Sequence, residues 1–211
     1  MADVLKRIGE LRVVPVIALD SATDAAPLAD ALAAGGLPIA EVTFRTAAAA
    51  ESIKAMAARG DVLVGAGTVL NVDTVKRAVD AGAQFIVSPG FNPKTVAYCV
   101  ANNIPVTPGC ATPSDIEAAL DHGITTVKFF PAEAIGGMKL LKAISAPYGM
   151  MSFMPTGGID AKNVAEYLKF PKVIACGGSW MVTKELLGAG DWAEVTRLSK
   201  EAVTLAKQAR P

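Results

Sequence analysis

Thr125-Thr126-Val127-Lys128-Phe129-Phe130-Pro131 reads as a short buried strand, β-branched and then aromatic, closed by a proline. A lysine sits in its middle. Burying an ammonium without a partner is costly, and such a group tends to lose its charge, which makes Lys128 a candidate nucleophile. Outward from this stretch, similar apolar runs recur at Val13–Leu19, Ile39–Arg45, Leu63–Val69, Gln84–Pro89, Pro105–Gly109, Met151–Thr156 and Val173–Gly177. Alanine-rich amphipathic stretches lie between them, such as Ala25–Ala34, Ala48–Ala58, Val72–Ala81, Pro93–Asn102 and Pro113–Asp121. Proline or aspartate near several helix starts and glycine after several ends (Gly35, Gly60, Gly82, Gly123) match the usual caps.

Alternating βα units imply a parallel sheet. Eight of them in 211 residues, about 26 residues each, predict a single-domain closed (β/α)8 TIM barrel over residues 1–211. An additional helix precedes the first strand, with Val4, Leu5, Ile8 and Leu11 at helical spacing. An open doubly wound sheet would place a GxGxxG motif at the first helix, and Leu19-Asp20-Ser21-Ala22-Thr23 is not one.

Composition narrows the function. Lys+Arg and Asp+Glu are balanced at 20 each, so neither nucleic acid nor an anionic membrane surface is an expected partner. No apolar run reaches the roughly 18 residues that span a bilayer. Three dispersed cysteines without a CxxC pair suit a reducing cytoplasm, and the single histidine, His122, argues against a histidine-rich metal site. Cys99 and Cys176 read as small core residues, Cys110 lacks a histidine to activate it, and His122 reads as a surface or helix-end residue.

Alternation along a strand fixes which side chains share a face. Glu41, Thr43 and Arg45 oppose Val42 and Phe44, so the polar set points inward, toward the C-terminal mouth where such barrels act. The same rule sends Lys128 and Phe130 inward with Thr126, and Thr68 with Ala66. Glu41 and Lys128 alone could be a structural ion pair. Arg45 and Thr68 add anion-recognising donors at the same level. The glycine-rich turns Pro155-Thr156-Gly157-Gly158-Ile159 and Gly177-Gly178-Ser179-Trp180 follow the seventh and eighth strands, the recurrent phosphate position of this fold.

A free lysine, with a pKa of roughly 10.4, is protonated at neutral pH. Apolar surroundings such as Phe130 and a cation such as Arg45 favour the neutral amine that attacks a ketone. The iminium so formed is an electron sink for carbon–carbon cleavage, with Glu41 moving protons; this chemistry needs no metal and no cofactor. The residues leave two other readings open: a non-covalent phosphosugar isomerase or epimerase, and a catalytically silent phosphosugar-binding barrel.

Together these segments resemble the bacterial 2-keto-3-deoxy-6-phosphogluconate (KDPG) aldolases, class I enzymes whose relatives cleave 4-hydroxy-2-oxoglutarate (KHG). The resemblance is carried by Glu41-Val42-Thr43-Phe44-Arg45-Thr46, Gly65-Ala66-Gly67-Thr68-Val69, Ser88-Pro89-Gly90 and Pro108-Gly109. It continues through Val127-Lys128-Phe129-Phe130-Pro131-Ala132-Glu133, Pro155-Thr156-Gly157-Gly158-Ile159 and Gly178-Ser179-Trp180. It implies Lys128 as the Schiff-base lysine, Glu41 as the proton-transferring acid, and Arg45 and Thr68 as binders of the pyruvate carboxylate. Gly157, Gly158 and Ser179 would hold the phosphate with Thr156 lining the site, and the assembly would be a homotrimer. Ser179 fits the gluconate-type enzymes, while the preference among phosphogluconate, phosphogalactonate and hydroxy-oxoglutarate substrates stays open.

Overall fold

The computed structural model describes residues 2–210. Its strands are Val13–Ile17 (β1), Ile39–Thr43 (β2), Leu63–Gly67 (β3), Phe85–Val87 (β4), Val106–Thr107 (β5), Gly109–Cys110 (β6), Thr126–Phe129 (β7), Ser152–Pro155 (β8) and Cys176–Gly178 (β9). The helices are Ala2–Leu11 (α1), Ala25–Ala34 (α2), Ala49–Ala57 (α3), Val72–Asp80 (α4), Pro93–Ala101 (α5), Pro113–Asp121 (α6), Gly137–Ser145 (α7), Val164–Lys169 (α8), Lys184–Ala189 (α9) and Trp192–Ala209 (α10).

Several helices begin where the sequence supplies a cap. Asn71 accepts from the Thr74 N–H, Asn92 precedes Pro93 at the first turn of α5, and Thr112 with Asp115 forms a capping box on α6. Each such cap contributes about 1 kcal/mol. The apolar stripe of α1 turns to the core, with Ile8 fully buried and Val4, Leu5 and Leu11 half-buried against it. No described helix is long and apolar enough to cross a membrane.

The strands form a curled parallel α/β sheet in two parts. One has the order β5-β4-β3-β2-β1-β9 and the other β6-β7-β8. Isolated parallel bridges, Phe153 to Val173 and Thr156 to Gly177, run from the β8 segment toward β9. Where one strand was expected over Pro105–Gly109 there are two short ones, and Pro108 explains the break. It has no N–H to give to the ladder, so β5 pairs with β4 while β6 pairs with β7. The Pro108 carbonyl still accepts the Lys128 N–H at 2.9 Å. Several other strands end about two residues earlier than expected, leaving Arg45, Thr68 and Phe130 in the turns beyond them.

Two glycines of β3 allow dense packing at the sheet's inner surface. A Cβ on Gly65 would fall 2.3 Å from the Phe85 ring, and one on Gly67 would fall 2.3 Å from Oε1 of Glu41. Val127 and Phe129 are wholly buried, whereas the alternate residues Thr126 and Lys128 keep slight exposure, so the two faces of β7 differ as the alternation requires.

Candidate active site

β2 and β7 bring Glu41 and Lys128 together. Nζ of Lys128 lies 3.2 Å from Oε1 of Glu41, with Lys128 6% and Glu41 2% exposed. Neither charge has much water, so each depends on the other; removing one member of such a pair costs about 3–5 kcal/mol. Glu41 is level with Gly65, and Thr43 with Gly67. The glutamate side chain therefore leans along its strand toward the C-terminal edge and lies over Gly67, whose missing Cβ makes room for the carboxylate. Phe130, just past the end of β7, places its ring centroid 5.1 Å from Nζ, a cation–π distance.

Thr156 continues β8 and is buried, its Oγ1 filling the space where a Cβ on Gly177 would stand, 2.4 Å away. Gly157 and Gly158 follow in left-handed conformations, φ 97° and 78°. Ser179 follows β9 and is exposed. Among the described residues, the backbone N–H groups of Gly158, Ser179 and Trp180 reach no protein acceptor, which leaves donors free for an external anion.

Arg45 is exposed in the turn after β2. Its Nε donates to Oγ1 of Thr43 at 3.0 Å, and that hydroxyl donates to the Ile17 carbonyl at 2.7 Å, so the base of the arginine is anchored to β1. Arg45 and Ser179 line one cleft of about 420 Å³ with Val16, Thr46 and Lys184. The family resemblance assigns these two to opposite ends of a ligand, and the spacing of the two residues in the chain gives no sign that they share a wall. The charged group in contact with Lys128 is the Glu41 carboxylate. Thr68 is half-buried one residue after β3 at φ 56°, a left-handed conformation that costs a β-branched residue about 1–3 kcal/mol. A larger cavity of about 700 Å³, lined by Arg12, Val203 and Lys207 among others, contains none of these residues, and its size does not outweigh the chemistry gathered at Lys128.

The cysteines and the histidine bring no activated group to this chemistry. Burial pushes the Cys110 thiol up to about 12, with the Asp115 charge adding to the effect, so it stays protonated and inert near neutrality. Cys99 and Cys176 are buried in the core. His122 ends α6 with Nδ1 3.0 Å from the Ala118 carbonyl and its ring edge-on to Phe91. Among the described residues no group of three or more His, Cys, Asp or Glu could hold a metal ion.

The family model for KDPG and KHG aldolase matches residues 4–198. The 2-dehydro-3-deoxy-phosphogluconate aldolase of Haemophilus influenzae is 50% identical over 205 residues, covering 97% of each chain. The crystal structure of the 2-keto-3-deoxy-6-phosphogluconate aldolase of Zymomonas mobilis ZM4 with 3-phosphoglycerate superposes with a TM-score of 0.91 at 40% identity, covering 95% of each chain. The KDPG aldolase of Legionella pneumophila, with pyruvate captured at low pH as a covalent carbinolamine intermediate, gives 0.89 at 40% identity, over 92% of this chain and 97% of that one. The chain that brings Lys128 and Glu41 together thus belongs to the KDPG and KHG aldolase family.

Proposed function

We propose that this protein is a class I aldolase that reversibly cleaves 2-keto-3-deoxy-6-phosphogluconate to pyruvate and glyceraldehyde 3-phosphate, with Lys128 as the Schiff-base residue. The observation that carries the reading is the buried 3.2 Å contact between Lys128 and Glu41 in a chain of this family. The carbinolamine captured in the Legionella relative supports covalent attachment of pyruvate to a lysine here as well.

Lys128 passes a proton to Glu41, and its free amine attacks the C2 ketone to give a carbinolamine. Loss of water, helped by the protonated Glu41, leaves an iminium. The Glu41 carboxylate then takes the C4 hydroxyl proton as the C3–C4 bond breaks, and the bonding electrons flow into the iminium to form an enamine. Glyceraldehyde 3-phosphate departs, the enamine is protonated at C3, and water releases pyruvate from Lys128. Phe130 shields the amine. Arg45 and Thr68 hold the carboxylate of the keto acid, and Gly157, Gly158 and Ser179 hold the phosphate, with Thr156 lining the space between. 4-Hydroxy-2-oxoglutarate is a second substrate, since it shares the keto-acid end. No step calls on a metal or cofactor.

The same proposal takes residues 1–211 as one domain, a closed (β/α)8 barrel preceded by an N-terminal helix. Supporting closure are the parallel pairing of β9 with β1, the Pro108 carbonyl that ties the β5–β6 junction to Lys128 of β7, and the two bridges from the β8 segment. The barrel assembles as a homotrimer in the cytoplasm. A coupled assay of pyruvate release from 2-keto-3-deoxy-6-phosphogluconate tests the activity. Steady pyruvate production is expected; consumption of substrate without pyruvate would favour an isomerase or epimerase, and no turnover would favour a silent binding protein.

A further inference from the structure

We propose that Glu133, fastened by the phenol of Tyr167, is a positioning residue for the Gly157–Gly158 turn and thereby sets the preference for phosphorylated over unphosphorylated substrates. This rests on the reading of that turn, with Ser179, as the phosphate end.

Glu133 lies in the turn that follows β7, four residues after Phe129. The turn is zipped onto the one after β8. Ala132 N–H donates to the Thr156 carbonyl at 2.8 Å, and Glu133 N–H donates to the Gly157 carbonyl at 3.0 Å. The glutamate stem then fills the space beside Gly158, where an added Cβ would lie 2.6 Å from Cβ and 2.7 Å from Cγ of Glu133. Gly158 is thus both left-handed and tightly covered, and its position depends on where that stem is held.

What holds the stem is Tyr167 on α8. Its side chain is buried, and its hydroxyl donates to Oε1 of Glu133. A buried phenol needs an acceptor, and burial together with the neighbouring carboxylate raises its pKa, so it remains a donor throughout the working range. Gly137 opens α7 directly beneath this contact. A Cβ there would come 3.0 Å from the Glu133 carboxylate and 3.3 Å from the phenol oxygen. From the other side, Asn163 donates to the Gly158 carbonyl at 2.9 Å and accepts the Asp160 N–H at 2.9 Å. The turn is therefore gripped on both flanks, and the Glu133 flank joins it to the strand that carries Lys128. Loosening this flank should blur the phosphate end while leaving the amine and its acid in place.

The test measures kcat and KM of the full-length enzyme for 2-keto-3-deoxy-6-phosphogluconate and for 4-hydroxy-2-oxoglutarate. Glu133→Ala should raise KM for the phosphorylated substrate about tenfold while changing kcat/KM for hydroxy-oxoglutarate less than about twofold. Tyr167→Phe should act in the same direction by about threefold, and it carries the test if Glu133→Ala does not fold. Glu133→Gln keeps an acceptor for the phenol and should restore the preference. Ser179→Val serves as the reference. If it lowers the phosphate preference and neither Glu133→Ala nor Tyr167→Phe does, or if those variants penalise both substrates equally, the positioning role is overturned. If Ser179→Val also penalises both equally, the phosphate assignment fails and this inference falls with it.

Discussion

At Lys128 the chain buries a charged pair in 3.2 Å contact and uses a glycine on a neighbouring strand to make room for the acid. At Arg45 and Ser179 it does the reverse, leaving side chains exposed around a cleft of about 420 Å³ and backbone donors without protein partners. The difference follows from what each region is proposed to do. Proton transfer and amine attack gain from a dry, preorganised setting, where electrostatic interactions are strong and nothing must rearrange. Anionic ends of a substrate are recognised by donors that water satisfies until the ligand arrives, and binding energy spent there helps orient the reacting carbon.

The contrast can be broken most severely at the acid. Glu41→Gln should lower kcat by about 10²–10⁴-fold while pyruvate still binds, as read by steady-state kinetics and ligand titration. Unchanged turnover would remove Glu41 from proton transfer. Gly67→Ala attacks the same centre while leaving both charged residues in the sequence. The clash falls on the Glu41 side chain from Cγ to the carboxylate and not on backbone, so the fold should survive while the carboxylate is displaced and kcat falls about 10²-fold. A loss of folding by circular dichroism, or no loss of rate, would contradict the role assigned to that notch.

At the open end the effects should be smaller and should appear in KM. Arg45→Ala should raise KM for the phosphorylated and unphosphorylated keto acids alike by about tenfold, with kcat nearly kept. A penalty confined to the phosphorylated substrate would move Arg45 to the phosphate side of the cleft it shares with Ser179. The smallest effect is expected outside both regions. Cys110→Ala should alter kcat/KM less than about twofold, and the native thiol should label slowly at pH 8, because burial keeps it protonated.

Much of the inner geometry was legible because strand alternation is strict. The direction of Lys128 and its facing of Glu41 follow from the apolar positions Val42, Val127 and Phe129. Other features depended on contacts remote in the chain. Pro108 was visible as a proline, yet that the ladder changes partners around it appears only when the neighbouring strands are in place. The apolar runs place Arg45, Thr68 and Phe130 at strand ends, whereas they occupy the turns just beyond, where the chain leaves the ladder. Gly67 looked like part of a motif; its work as the seat of a carboxylate belongs to Glu41, a strand away. The Glu133–Tyr167 contact had no local signal at all, since a glutamate after a turn and a tyrosine in a helix each read as ordinary.

The central claim, covalent capture by Lys128, is tested most directly by reducing the enzyme with borohydride in the presence of pyruvate and mapping the modified peptide. The account predicts one pyruvate-derived label, on Lys128, and its loss in Lys128→Met. Label on another lysine, or none on the folded enzyme, would contradict it.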